Sequence, residues 1–337
     1  MEEKPHRKHK VIFYLRITVT ILAVIYFIVL PIGISVIHGR VMSKCTYDEY
    51  DDQKYLVYED IAANYPRKEF KVNSDDILIS AYLYGEDNNK GLIVVSPGHR
   101  DANDIKLYEI MYFVDAGYKV ICFDYTGCYT SEGDTFGKYT QAVYDLNAIM
   151  TYCDNNDEFS DMPLYLFGHS LGGYATGSVL NYDHRIDAAV VASGFDSAAE
   201  QWECSVKRFT DPLYFLIRPI NLAFIKLKYG DDRKLSTVDG INRSGIPVLV
   251  ISAELDEYYG GGKSPIYDKK NLITNSKCEF ILMDKPGHNE HYNYFLTDNA
   301  IAYQKSDPKG DVDKGLYMEH DENVMKTICD FYERSNQ

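Results

Sequence analysis

Residues 168–172 read G-H-S-L-G and hold the feature that most constrains the fold, because this G-x-S-x-G pattern directly follows the short apolar run 164–167. A serine in such a pattern sits on a sharp strand-to-helix turn that lifts its hydroxyl clear of the sheet. A side chain at either glycine would collide where the turn brings strand and helix together. The sequence therefore predicts a strand, a tight turn at Ser170 and a closely packed helix after it.

A serine hydroxyl is a weak nucleophile at neutral pH and needs a base together with a group that orients the base. Two later runs, 246–253 and 279–283, are short and mainly apolar, and the first is rich in β-branched residues, as in buried parallel strands. Asp256 follows the first run and His288 follows the second. The chain thus has the order serine, acid, histidine, with Ser170 as nucleophile, Asp256 as orienting acid and His288 as base.

Other side chains near these positions remain open as alternatives. Glu254 and Glu257 are candidates for the acid, and His291 is the rival of His288 for the base. His169 is fixed next to Ser170 and is expected to point away from it.

Four sequence blocks carry a resemblance to a known family: residues 94–102, 123–133, 167–173, and the pair 252–256 and 286–290. From about residue 69 onward the chain resembles the α/β-hydrolase superfamily, in the branch of serine aminopeptidases, monoglyceride lipases and lysophospholipases. The second block departs from the family pattern at Thr126, where the family has arginine, and at Tyr129, where it has glycine. The family places its acid in the pattern G-x-x-D. Residues 253–256 match this pattern except at Ala253, which replaces the glycine.

The resemblance implies an α/β-hydrolase fold, which is a mostly parallel, doubly wound sheet with a helical lid. It also implies two backbone N–H groups that stabilise the oxyanion of the tetrahedral intermediate. One belongs to Leu171, directly after the nucleophile. The other belongs to His99, because residues 96–99 stand at the family's H-G-x position.

The order of strand and helix patterns agrees with this fold. Strands are predicted at 70–72, 77–84, 92–95, 120–123, 164–167, 188–192, 248–252 and 279–283, and helices near 102–116, 138–154, 171–181, 265–275 and 321–333. Residues 197–245 lack a strand pattern and form the predicted lid, with helices at 202–208 and 213–229. The apolar lid residues either line an acyl pocket or only attach the lid to the body. The polar stretch 297–316 is predicted to be a surface loop without a calcium site.

The N-terminal region is predicted to be a membrane anchor. Residues 17–37 form a run of 21 residues with no charged side chain, about 30 Å as a helix, which matches a bilayer core. Residues 1–16 are basic, 38–66 form a polar linker, and 67–337 form the hydrolase domain. The positive-inside rule then places the N-terminus in the cytoplasm and the catalytic domain outside.

Charge and cysteine content limit the partners. Residues 41–337 hold 29 basic and 48 acidic side chains, a net charge of −19, which disfavours binding to nucleic acid. Seven cysteines without C-x-x-C spacing indicate neither a disulfide framework nor a zinc site. We expect no cofactor and no metal.

The expected function is hydrolysis of a carboxylic ester or thioester of a lipid-like or small acyl substrate, through an acyl-Ser170 intermediate. An aminopeptidase-like activity is the alternative, in which Glu200 or Glu203 would bind the substrate amine. A non-catalytic surface module that retains the fold is the second alternative. The sequence leaves the oligomeric state open.

Overall fold

The structure is a computed structural model that describes residues 5–49, 51–259, 262 and 264–336. Its strands are β1 (Arg67–Ser74), β2 (Ile77–Tyr84), β3 (Leu92–Ser96), β4 (Lys119–Phe123), β5 (Leu164–His169), β6 (Ala188–Ala192), β7 (Val248–Ala253) and β8 (Cys278–Met283). Its helices are α1 (Pro5–Val24), α2 (Leu30–Val41), α3 (Tyr58–Ile61), α4 (Leu107–Asp115), α5 (Gln141–Asp154), α6 (Leu171–Val179), α7 (Ala198–Thr210), α8 (Tyr214–Tyr229), α9 (Thr237–Ser244), α10 (Pro265–Asp268), α11 (Asp298–Lys305), α12 (Lys314–Tyr317) and α13 (Glu322–Ser335).

All eight strands form one sheet in the order β1-β2-β4-β3-β5-β6-β7-β8. The pairs β1–β2 and β2–β4 are antiparallel, whereas β3 to β8 continue in parallel from β4. The central strands β3 to β7 are buried along their whole length, as expected for a parallel sheet covered on both faces. The carboxyl ends of β3, β5 and β7 therefore lie along one edge, where loops can bring side chains together.

Helices cover the two faces of the sheet as the alternating pattern predicts. Helices α4 and α13 pack on one face through buried residues such as Phe113, Ile328 and Phe331. Helices α5 and α6 pack on the other face, together with Trp202 and Tyr229 of the lid. The prediction of an α/β-hydrolase fold with a mostly parallel sheet is confirmed.

Two connections differ from their predicted form. The helix expected at 265–275 is the short α10 followed by a 3₁₀ turn at Lys270–Leu272. The stretch 297–316, predicted to be a surface loop, contains helix α11, and that prediction is wrong. The Thr297 side chain caps α11 by accepting a hydrogen bond from the backbone of Ala300, and both Ala300 and Ile301 are buried.

The predicted lid, residues 197–245, consists of α7, α8 and α9. At the N-terminus, α1 runs through a π-helical turn at Ile25–Val29 into α2. Residues Lys10–Val41 form one helix that is long and apolar enough to cross a membrane. Burial begins near its C-terminal end, where Ile34, His38 and Met42 pack against the hydrolase body, so part of the predicted linker is a structural element of that body.

Candidate active site

Ser170 occupies the turn between β5 and α6 with φ +58° and ψ −117°. A non-glycine residue rarely adopts such a positive φ, and this kind of strain is concentrated at functional sites. The turn is held by a hydrogen bond from the Ser170 backbone N–H to the Ala192 carbonyl (2.9 Å) and by one from the Tyr174 N–H to the Ser170 carbonyl (3.1 Å). The backbone thus presents Ser170 at the carboxyl end of β5, as the motif predicts.

The two glycines of the motif are sterically required. A Cβ atom on Gly168 would clash with the carbonyl group of Gly172. A Cβ on Gly172 would lie 2.7 Å from the Pro97 carbonyl oxygen and closer still to that of Ser96. Strand β5, helix α6 and the loop after β3 can therefore approach only because both residues lack a side chain.

Asp256 follows β7 and is fully buried. Its Oδ2 lies 2.6 Å from Nδ1 of His291, and its Oδ1 accepts a hydrogen bond of 3.0 Å from the Tyr258 backbone. An ionised carboxylate can only accept hydrogen bonds, so the Asp256–His291 pair places the proton of the neutral imidazole on Nδ1 and leaves Nε2 as an acceptor. This is the arrangement that an orienting acid gives to a histidine base.

Three hydrogen bonds and a ring contact hold His291 next to the residue that precedes Ser170. Its carbonyl oxygen accepts from His169 Nε2 (3.0 Å) and from Ser193 Oγ (3.1 Å), and its N–H donates to Glu257 Oε2 (3.0 Å). The imidazole ring lies 4.7 Å from the ring of His169, the residue before Ser170. Burial lowers the pKa of His169 well below its usual value, so that ring packs as a neutral group.

The structure does not bring His288 to Asp256. The Nε2 atom of His288 lies 2.6 Å from Oδ1 of Asp298, at the exposed start of α11. The prediction that His288 partners Asp256 is wrong, because the loop after β8 meets the loop after β7 at Asn289, whose carbonyl accepts a 2.8 Å hydrogen bond from the Leu255 N–H, and the imidazole that reaches Asp256 from there is that of His291. The alternative acids are also engaged elsewhere, since Glu254 accepts from the Asn289 side chain and Glu257 from the His291 backbone.

The predicted oxyanion-hole residues line the same cavity as Ser170. Leu171 is the first residue of α6, and the N–H groups of a first helical turn have no partner within the helix. His99 lies in the loop after β3, where Asp101 Oδ2 accepts a hydrogen bond of 3.0 Å from the Gly98 N–H. Lys106, almost fully buried, lies 3.6 Å from Asp101 and 3.4 Å from Glu109, which holds this loop on α4.

The two departures from the family's second block have local explanations. Thr126, in place of arginine, donates hydrogen bonds from its N–H (2.7 Å) and hydroxyl (2.8 Å) to the buried carboxylate of Asp145. Tyr129, at a glycine position, keeps a positive φ of 48°. Its hydroxyl donates a 2.5 Å hydrogen bond to the carbonyl of Arg100 in the loop after His99, so it supports the wall of the site.

A cavity of about 740 Å³ opens above Ser170. Its lining is mainly apolar: Phe195, Trp202, Val206, Phe209, Ile217 and Tyr259 on the body and lid, with further residues from the N-terminal helix. Such a volume fits a small or lipid-like ligand. Within the described ranges of the chain, no group of three or more His, Cys, Asp or Glu side chains is placed to hold a metal ion.

The chain has the α/β-hydrolase fold, with Ser170 at the turn between β5 and α6. The solved structures agree: an esterase of Pyrococcus furiosus, Pf2001, matches with a TM-score of 0.57 and 16% identity, over 82% of this chain and 94% of that one. The model of the serine aminopeptidase S33 family matches residues 87–238. Over residues 87–238 the chain is therefore similar to the serine aminopeptidase S33 family, and its fold is the α/β-hydrolase fold.

The sequence is also similar to curated proteins named as lipases. Lysophosphatidylserine lipase ABHD12 of Danio rerio is 27% identical over 231 residues, which is 65% of this chain and 54% of the relative. The Xenopus tropicalis protein of the same name is 27% identical over 238 residues, or 66% of this chain and 56% of the relative. The chain thus spans about half the length of the curated relatives it matches.

Proposed function

We propose that this protein is a membrane-anchored serine hydrolase that cleaves the carboxylic ester of a single-chain lipid. The observation that carries the proposal is the buried pair of Asp256 and His291, at 2.6 Å, beside a strained serine turn and an apolar cavity. An ester of a long acyl chain is the substrate class that fits such a cavity, and the curated relatives are lipases by name.

The proposed mechanism assigns one role to each of these groups. Ser170 Oγ attacks the ester carbonyl carbon while Nε2 of His291 takes the hydroxyl proton, and Asp256 stabilises the imidazolium. The N–H groups of Leu171 and His99 donate hydrogen bonds to the oxyanion. When the C–O bond breaks, His291 returns the proton to the departing alcohol and acyl-Ser170 remains. A water molecule, deprotonated by His291, then attacks the acyl carbon, and His291 returns the proton to Ser170 Oγ as the carboxylic acid leaves.

The aminopeptidase alternative lacks a free amine-binding acid among the residues considered for it. Glu200 is 2.7 Å from Lys269 Nζ. Glu203 accepts hydrogen bonds from Tyr214 (2.8 Å) and Arg218 (2.9 Å). Both glutamates line a separate surface groove rather than the cavity at Ser170, which favours ester hydrolysis.

The rim of the cavity carries a cation suited to a phosphate headgroup. Arg208 lines the cavity, and its guanidinium donates a 3.0 Å hydrogen bond to the Glu257 carbonyl. A phosphate-binding arginine here would offset locally the net negative charge of the domain. A lysophospholipid is therefore a candidate substrate beside an uncharged monoacylglycerol.

The test is a substrate panel on the full chain in detergent micelles: lysophosphatidylserine, monoacylglycerol, p-nitrophenyl esters and aminoacyl amides. We expect ester cleavage that is lost in Ser170→Ala, and an Arg208→Gln variant with raised KM for the lysophospholipid only. Lys207→Gln, one residue earlier on α7, is the matched control. Cleavage of amides but not esters would favour the peptidase, and cleavage of nothing would favour a non-catalytic module.

The orientation in the membrane belongs to the same proposal. The basic residues before the uncharged run 17–37 favour an N-terminus in the cytoplasm and a catalytic domain outside. An epitope tag after the C-terminal helix α13 should bind antibody on intact cells or spheroplasts. Binding that requires lysis would place the domain in the cytoplasm.

A further inference from the structure

The N-terminal helix forms one side of the cavity that opens above Ser170. Six of its residues line that cavity: Val29, Leu30, Gly33, Ile34, Ile37 and Val41. They recur every three or four residues, as 29/30, 33/34, 37 and 41, which places them on one face of a helix. The opposite side of the cavity is formed by the lid and by the body around Ser170. The apolar helix is thus a wall of the candidate active site as well as a membrane anchor.

Specific contacts fix this part of the helix on the body. His38 is 2% exposed, its Nε2 lies 3.1 Å from the Tyr229 hydroxyl, and its ring packs edge-on against Trp202 at 4.8 Å. Just beyond the helix, the Met42 carbonyl accepts a 3.3 Å hydrogen bond from the Gly137 N–H. Most of the helix before Val29 is exposed on all sides. The face that lines the cavity is therefore held in place by the protein.

The position of the membrane follows from the same helix. The uncharged run 17–37 is about as long as a bilayer core is thick, and its last two turns are the turns that line the cavity. The run can span the bilayer while its last two turns line the cavity only if the cavity mouth lies at the edge of the hydrocarbon region. The lid carries large exposed apolar side chains that fit this position: Phe209, Leu213, Phe215, Leu216, Leu222 and Leu227.

We propose that the acyl chain of the substrate lies along α2, between this helix and the lid, and that the residue at position 33 limits the chain length accepted. The inference rests on the proposed ester hydrolysis. It adds that α2 is the wall of the cavity that limits the length of the acyl chain. Gly33 is the sensitive position because it lines the cavity and a Cβ atom on it would meet nothing within 4 Å. A larger side chain there would extend into the space assigned to the acyl chain.

The first test measures chain-length preference with the full chain in micelles, using p-nitrophenyl acetate and p-nitrophenyl dodecanoate. Gly33→Leu should lower the ratio of kcat/KM for dodecanoate to that for acetate about tenfold or more, since filling an apolar pocket by a few methylene groups has effects of that order. Gly39→Leu is the matched control. Gly39 lies on the same helix, is exposed, and likewise has nothing within 4 Å of an added Cβ, so the ratio should stay unchanged.

A ratio that is the same in wild type, Gly33→Leu and Gly39→Leu would overturn the inference and leave ester hydrolysis standing. A wild-type protein that cleaves neither ester would overturn the proposed function instead. The wall can then still be tested without catalysis, because Trp202 is the only tryptophan of the chain and lines the cavity.

The second test uses the Ser170→Ala variant and a brominated dodecanoic acid, whose bromine atoms quench tryptophan fluorescence on contact. Quenching of Trp202 should saturate with added ligand, and Gly33→Leu should weaken the apparent affinity about tenfold, whereas Gly39→Leu should not. Unbrominated dodecanoic acid should leave the intensity unchanged. Equal quenching in all three backgrounds would show that the acyl chain does not lie against α2.

Discussion

At the scale of single residues, the identity of the catalytic base depends on which histidine Asp256 contacts. The two candidates are three residues apart, and the sequence favours His288 because it follows the family's proline and glycine. His291 is positioned by His169 and Ser193, which are distant from it in the sequence. Their side chains hydrogen-bond to the carbonyl of His291. Contacts of that range leave no signal in one sequence, whereas Ser170 and Asp256 could be placed from motif and order alone.

The Asp256–His291 pair predicts the effect of removing the orienting charge. Asp256→Asn should keep the fold and lower kcat by about 10⁴, because an amide favours the wrong imidazole tautomer. Asp298→Asn, which alters the partner of His288 in the same way, should leave kcat within about twofold of wild type, since surface pairs contribute little. Steady-state ester hydrolysis measures both, and a stronger effect from Asp298→Asn would reverse our assignment of the histidines.

A second residue-scale prediction concerns acid stability. Burial, and to a lesser extent the charge of Arg100, lowers the pKa of His99 from 6.5 to about 4. The unfolded chain then binds a proton that the folded chain does not, so this contribution to stability is complete above pH 6.5 and is lost as the pH falls toward 4. The free energy of unfolding should fall by up to about 1.4 kcal/mol per pH unit there.

His99→Gln cannot take up this proton and tests the prediction. Denaturant unfolding between pH 7 and pH 4 should have a shallower pH dependence in the variant than in wild type. Parallel curves would mean that His99 titrates normally in the folded protein. The backbone N–H that we assign to the oxyanion hole is retained in the variant.

At the scale of elements, the strands and the serine turn were predictable because their signals are local. Short, mainly apolar runs mark β3 to β8, and the two glycines mark the turn. Helix α11 was missed because its sequence is polar, and its stability comes from the Thr297 cap and from burying Ala300 and Ile301. The packing of α2 was missed for a different reason. Apolar residues surround that helix, so the sequence does not reveal which of its faces contacts protein.

The close approach of β5, α6 and the loop after β3 predicts a steric effect at position 172. Gly172→Ala should destabilise the protein by about 3 kcal/mol or more, because the new methyl group meets backbone carbonyls that cannot move away. Gly39→Ala, a helical glycine with open space around it, should be neutral or slightly stabilising. Thermal unfolding compares the two, and equal melting temperatures for Gly172→Ala and wild type would contradict the described turn.

At the scale of the whole molecule, the N-terminal helix, the predicted lid and the end of the sheet line one cavity. The sheet edge presents Ser170, the loops after β7 and β8 carry Asp256 and His291, and the lid and α2 line the cavity to which we assign the acyl chain. The sequence predicted a separate anchor, a linker and a domain. In the structure, the end of the predicted anchor packs on the α/β body through His38 and Met42, which follows from tertiary packing alone.

The central claim is that His291, held by Asp256, activates Ser170, and labelling by a fluorophosphonate probe tests it most directly. The wild-type chain should be labelled once, at Ser170, and Ser170→Ala should not be labelled. His291→Ala should react very slowly because the hydroxyl has lost its base, while His288→Ala should react at a rate close to that of wild type. Slow labelling of His288→Ala together with normal labelling of His291→Ala would contradict the account.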